Sequence, residues 1–109
     1  MSGRRWTVTD RYANEIYLTE ERWHHIIEEI NHPELAAYEA YVRHAVQVGR
    51  RKQDVLNPQK YRYHWAYDDL PAFNTHIVVI VLFRFTEDLE ERPAANNYIV
   101  TAYMKEVWS

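Results

Sequence analysis

The fold is decided by the stretch His76-Ile-Val-Val-Ile-Val-Leu-Phe-Arg-Phe85, the most apolar segment of the chain. Its Val and Ile residues favour a strand, and the segment is too short for a typical helix. No polar residue interrupts it between Ile77 and Phe83. A run that is apolar on both faces predicts a strand in the centre of a sheet.

Further strands are predicted on both sides of this segment. Residues 61–67 alternate between aromatic and other side chains, which is typical of a strand with one aromatic face and one polar face. Residues 98–104 predict the last strand, and the acidic stretch from Thr86 to Asn97 predicts a long hairpin loop. Residues 15–18 are compatible with one more short strand.

Two helices are predicted ahead of this sheet. The first begins at the N-cap Thr19, buries Trp23, Ile26, Ile27 and Ile30 along one side, and ends before Pro33. The second runs from Pro33 to Gly49. The sequence therefore predicts a single α+β domain over residues 1–109, with two N-terminal helices packed on an antiparallel sheet of three to four strands. The other sheet face is then free for a ligand.

The composition restricts the classes of function. The chain has 109 residues, no Cys and a net charge of −3, which excludes a disulfide framework and a thiolate zinc site. No apolar run approaches the roughly 20 residues that span a bilayer, and no signal peptide is evident, so we expect a cytoplasmic protein that does not bind a membrane. Residues 41–64 nevertheless carry 6 basic and 1 acidic side chains, which can attract a phosphate chain locally.

Five segments, taken in order, resemble the phage-type branch of the barnase, EndoU, colicin and RelE superfamily of ribonucleases. They are Leu18-Thr-Glu-Glu-Arg-Trp23, His32-Pro-Glu-Leu35, Leu56-Asn-Pro58, His76-Ile-Val-Val-Ile-Val-Leu-Phe-Arg84 and Tyr98-Ile-Val-Thr-Ala-Tyr103, within residues 15–104. The resemblance implies N-terminal helices followed by a four-stranded antiparallel sheet of the RelE-like type. It also implies metal-independent cleavage of RNA, with no cofactor, and a cognate antitoxin or other protein as a second partner.

Cleavage of this kind needs a base for the ribose 2′-OH, an acid for the leaving 5′-oxygen, and cations around the phosphorane. We expect five strand residues to meet on the open sheet face and to carry this chemistry: Arg62, His64, Arg84, Thr101 and Tyr103. Four cations are expected to guide the RNA backbone: Arg50, Arg51, Lys52 and Lys60. His32 either caps a helix or, by the resemblance, is an active-site histidine.

Three alternatives compete with this ribonuclease hypothesis. A domain of the same fold could be catalytically inactive and hold a protein partner or RNA through its aromatic and basic face. A zinc site at His24, His25, Glu28 and Glu29, with His32 near them, lacks the spacing of a zinc signature. A small-molecule enzyme has no Gly-rich loop or cofactor motif to support it.

Overall fold

The computed structural model of the chain describes residues 3–28 and 30–107. These residues form one sheet with two α-helices and a short 3₁₀ helix. In chain order the elements are β1 (Arg4–Thr9), β2 (Glu15–Thr19), α1 (Glu20–Ile26), the 3₁₀ helix (Pro33–Tyr38), α2 (Glu39–Val48), β3 (Arg50–Gln53), β4 (Lys60–Ala66), β5 (His76–Glu87) and β6 (Pro93–Lys105).

The sheet has six strands in the order β1-β2-β6-β5-β4-β3. All neighbouring strands are antiparallel except β2 and β6, which are parallel. The predicted arrangement of two N-terminal helices on an antiparallel sheet of three to four strands is therefore wrong. A strand hairpin precedes the first helix, a further strand follows the second, and the sheet is mixed.

The strands missed by the sequence analysis lie at the two ends of the sheet. β3 has the sequence Arg-Arg-Lys-Gln and contains no apolar residue, so it has no hydrophobic period to reveal it. These residues directly follow the predicted second helix, and no strand was predicted there. The backbone of β3 pairs instead with β4, from Arg50 opposite His64 to Gln53 opposite Tyr61.

The hairpin between β5 and β6 is also longer than predicted. Thr86 pairs with Ala94 and Glu87 with Pro93, so most of the predicted loop is strand. The turn is closed by Asp88, whose carboxylate accepts hydrogen bonds from two backbone N–H groups within the turn, at 2.9 and 3.0 Å. Because this part of the hairpin is mostly exposed, its side chains show no buried face that a sequence pattern could report.

The first helix agrees with the prediction at its start, and the second helix agrees at its end. The hydroxyl of Thr19 accepts a hydrogen bond from the Arg22 N–H at 3.0 Å, which confirms the predicted N-cap. Helix α1 ends at Ile26, however, and Ile30 is 88% exposed, so the prediction that Ile30 is buried is wrong. The predicted second helix begins as a 3₁₀ segment and becomes α-helical at Glu39.

Helix α2 covers one face of β4 and β5. Val42, Ala45 and Val46 are fully buried there, in one cluster with the side chains that point to the same side of the strands, among them Tyr63, Ile77, Val79 and Val81. The helix ends at Gly49, where an added Cβ would lie 2.1 Å from the Ala45 carbonyl oxygen. The chain can therefore turn from α2 into β3 at this point only with glycine. None of the described helices is long and apolar enough to cross a membrane.

A buried carboxylate joins the two ends of the sheet. Asp10 is 5% exposed and accepts hydrogen bonds from the backbone N–H groups of Tyr12 and Asn14 at 2.9 and 2.8 Å, which closes the β1–β2 turn. It also accepts a hydrogen bond from the hydroxyl of Tyr63 on β4, and the Arg51 guanidinium lies 4.0 Å away. Burial and the Asp10 charge raise the pKa of the Tyr63 hydroxyl, which therefore stays protonated and donates.

We predict that Tyr63→Phe lowers the free energy of unfolding by about 1–3 kcal/mol, because it removes a donor from a buried carboxylate. Urea denaturation followed by circular dichroism measures this change. Tyr41→Phe is the matched control, since the Tyr41 hydroxyl bonds Asp69 at the surface, at 2.6 Å, and its loss should matter less. Equal effects of the two substitutions would contradict the central role of Asp10.

Candidate active site

The face of the sheet opposite α2 carries the predicted site residues. Strand pairing sets Arg50 opposite His64, His64 opposite Val78, and Val78 opposite Tyr103. One step along, the corresponding row is Lys52, Arg62, Ile80 and Thr101. Because directly paired residues share a face, these side chains lie on one side of the sheet, and Tyr63 and Val79 lie on the other. We refer to the side that carries them as the open face.

A cavity of about 300 Å³ lies on this open face. Every charged side chain in its lining is a cation. The lining also contains two imidazoles and one phenol. The lining consists of Lys52, Arg62, His64, His76, Val78, Tyr103, Lys105 and Val107. A cavity with this lining is suited to a phosphate or another oxyanion.

The two histidines of the cavity lie on neighbouring strands. His76 pairs with Ala66 and His64 with Val78, so the imidazoles are diagonal neighbours, with ring centroids 6.4 Å apart. The pKa of His64 is lowered, first by partial burial of the ring and then by the charges of His76, Arg50, Arg62 and Lys105. His64 is therefore neutral at pH 7 and can accept a proton.

The sequence analysis missed His76 and Lys105. His76 was assigned only as the first residue of the central strand, and Lys105 lay beyond the predicted end of the last strand. The sequence spacing could have placed His76 on the predicted site face, because His76 lies an even number of residues from Val78 and Arg84 on the same strand. The register needed to set it beside His64 comes from the pairing of β4 with β5, which a single sequence does not reveal.

Of the predicted catalytic residues, three line the cavity: Arg62, His64 and Tyr103. Thr101 lies on the same face but lines a neighbouring depression of about 210 Å³, together with His32. The His32 ring is 6.2 Å from the Tyr103 ring, and its side chain makes no cap hydrogen bond. His32 therefore lies beside the cavity rather than in its lining.

Arg84 shares the open face but not the cavity. It pairs with Asn96 and lies six residues beyond Val78 on β5, a distance of about 20 Å at the rise of an extended strand. The structure therefore does not bring Arg84 together with His64 and Tyr103.

The four predicted RNA-guiding cations are divided by the pleat of β3 and by the length of β4. Arg50 and Lys52 flank His64 and Arg62 on the open face. Arg51 points to the other face, where it lies over the rings of Tyr12 and Tyr61 at 4.3 and 4.5 Å. Lys60 stands at the start of β4, with its ammonium group 3.9 Å from Asp54.

The helix histidines considered as zinc ligands each lie beside a glutamate close in sequence. His24 lies 3.9 Å from Glu20 and His25 lies 3.3 Å from Glu28, while Glu29 lies outside the described residues. Within residues 3–28 and 30–107, no group of three or more His, Asp or Glu side chains is arranged to hold a metal ion.

The chain matches no protein-family model, no curated protein and no solved structure. The assignment of function therefore depends on the geometry of the cavity.

We predict that His64 titrates below the ordinary histidine pKa of 6.5 and that Lys105→Gln raises its pKa, because Lys105 is one of the charges that disfavour the imidazolium. NMR titration of the histidine ring protons measures both effects. Lys60→Gln is the matched control, since Lys60 is not among the groups that lower this pKa. Identical His64 titrations in the wild type and Lys105→Gln would contradict the electrostatic account of the cavity.

The same shift predicts a pH dependence of stability. With a folded pKa below the unfolded one, the unfolded chain binds more protons in the interval between them, so stability falls as pH decreases from 6.5 through the folded pKa. His64→Asn should remove this part of the pH dependence, which urea denaturation at a series of pH values measures.

Proposed function

We propose that this protein cleaves RNA at the cavity on the open face, by a mechanism in which its own side chains move the protons. One observation carries the proposal: two imidazoles lie 6.4 Å apart in a cavity whose charged lining is entirely cationic. The resemblance to the ribonuclease superfamily and the predicted antitoxin partner stay predictions.

The first step uses His64 as the base. A neutral imidazole accepts the proton of a ribose 2′-OH, and the resulting oxygen attacks the adjacent phosphorus. A lowered pKa suits this task, since it keeps the ring unprotonated at neutral pH. The bond that forms joins the 2′-oxygen to phosphorus.

His76 serves as the acid on the other side of the phosphate. As the bond between phosphorus and the 5′-oxygen breaks, a protonated imidazole transfers its proton to that oxygen. The products are a 2′,3′-cyclic phosphate and a 5′-hydroxyl end. The separation of the two rings allows both to contact a single phosphate.

The cations stabilise the charge that builds up between these rings. Lys52, Arg62 and Lys105 line the cavity, so a phosphorane within it is surrounded by positive charge. Arg62 adds planar donors that can contact two phosphate oxygens at once. Tyr103 lines the same wall and supplies a hydroxyl donor.

The test is cleavage of a single-stranded oligonucleotide that carries one ribonucleotide among deoxynucleotides, in the presence of EDTA. We expect cleavage at the ribonucleotide only and a 2′,3′-cyclic phosphate end, identified by mass spectrometry. His64→Ala and His76→Ala should each lower the rate by about 10²-fold or more. His24→Ala is the matched control, because His24 is exposed on α1.

Two results would contradict this proposal. Full activity in both cavity variants would show that the cleavage takes place elsewhere or comes from a contaminant. Binding of the oligonucleotide without cleavage would favour the alternative of an inactive module that holds RNA.

We further predict salt-sensitive binding of an all-deoxy single strand, which the protein cannot cleave by this route. The negative slope of log affinity against log salt should become shallower by about 0.7 in Arg62→Gln, the value for one phosphate contact in a single strand. Arg84→Gln, on the same face but outside the cavity, should leave the slope unchanged. Equal losses in both variants, measured by fluorescence anisotropy, would contradict binding at the cavity.

A further inference from the structure

Thr75 precedes His76 and is held in place by the backbone of three residues. Its N–H donates to the Lys105 carbonyl at 2.9 Å, and its carbonyl accepts from the Tyr67 N–H at 2.9 Å. Its hydroxyl oxygen accepts from the Val107 N–H, also at 2.9 Å. The hydroxyl group is therefore fixed at the junction between the end of β6 and the start of β5.

This hydroxyl lies 2.7 Å from Nδ1 of His76. A hydroxyl has one proton to donate and two lone pairs to accept with. One lone pair is used by the Val107 N–H, so the proton and the second lone pair remain for His76 and for the Lys105 carbonyl, which is 3.4 Å from the same oxygen.

The arrangement satisfies both protonation states of His76. When the ring is neutral, the Thr75 proton is placed better for Nδ1, at 2.7 Å, than for the Lys105 carbonyl, at 3.4 Å, and donation to Nδ1 leaves the ring proton on Nε2. When the ring is protonated, Nδ1–H donates to the Thr75 oxygen, and the hydroxyl proton turns to the Lys105 carbonyl. In both states Nε2 is the nitrogen that can exchange a proton with a ligand.

We infer that Thr75 is a positioning residue for His76, which holds the imidazole in the Nε2–H tautomer and presents Nε2 to the phosphate cavity. Because it assigns a role in acid catalysis to His76, the inference builds on the proposed function. The tautomer of His76 can be measured without RNA. Failure of the cleavage assay and failure of the inference are therefore separate results.

Other titratable side chains of the cavity lie on the strands that flank Thr75 and His76. His64 faces His76 from β4, Lys105 pairs with it from β6, and Arg62 stands further along β4. These groups supply no hydrogen bond to Nδ1 of His76 among those described. The hydroxyl of Thr75 is thus the group that distinguishes one ring nitrogen from the other.

The experiment is long-range ¹H–¹⁵N NMR of the histidine side chains, at a pH where His76 is neutral. Nitrogen chemical shifts distinguish a protonated from an unprotonated ring nitrogen, and His76→Gln identifies the His76 signals. We expect an unprotonated Nδ1 in the wild type and in Thr75→Ser, which keeps the hydroxyl. Thr75→Val, of nearly the same shape, should show a mixture of the two tautomers.

Activity gives a second readout where the protein cleaves RNA. Thr75→Val should lower kcat by about tenfold or more with KM little changed, and Thr75→Ser should restore it.

A neutral His76 with its proton on Nδ1 in the wild type would overturn the inference, and so would identical tautomers in wild type and Thr75→Val. The wild-type spectrum alone decides the first point even if Thr75→Val does not fold.

Discussion

The buried carboxylate of Asp10 ties the β1–β2 turn to β4 and β3 at the other end of the sheet. A charge removed from water needs donors on both oxygens, and Asp10 finds them in its own turn and in Tyr63, with the Arg51 guanidinium 4.0 Å away as a countercharge. The bond to Tyr63 also fixes which way β4 faces. Once that phenol is turned into the core, alternation along the strand sends Arg62 and His64 to the open face.

The same alternation separates the charges of the molecule. On the side of the helices, carboxylates are matched by arginines: Arg5 bonds both Glu20 and Glu39, which raises the pKa of Arg5 and lowers that of Glu39. The cavity is lined by Lys52, Arg62 and Lys105 together with two imidazoles, and no carboxylate is part of that lining. This concentration of positive charge on a protein of net charge −3 is a local property, and it favours a local anionic ligand.

The sequence predicts those parts of the fold in which burial imposes a recognisable pattern of apolar residues. The central strand β5, the two-faced strand β4 and the cap at Thr19 belong to this group. β3 and the outer part of the β5–β6 hairpin are held by backbone pairing, which any polar sequence can make, so no pattern marks them. For the site, strand parity places Arg62 and His64 on one face of β4, and His76 and Arg84 on one face of β5. Whether these faces coincide, and where along them each residue lies, depends on register, which brings His76 beside His64 and leaves Arg84 about 20 Å away.

β3 is the outermost strand at one end of the sheet. An outermost strand exposes unpaired N–H and C=O groups, to which a strand of another molecule can add, and charged side chains there oppose such self-association. In β3 this protection comes from Arg50 and Lys52, and Lys52 also lines the cavity. Lys52 therefore serves both the attraction of a ligand and the protection of the outermost strand, and a substitution that removes its charge weakens both.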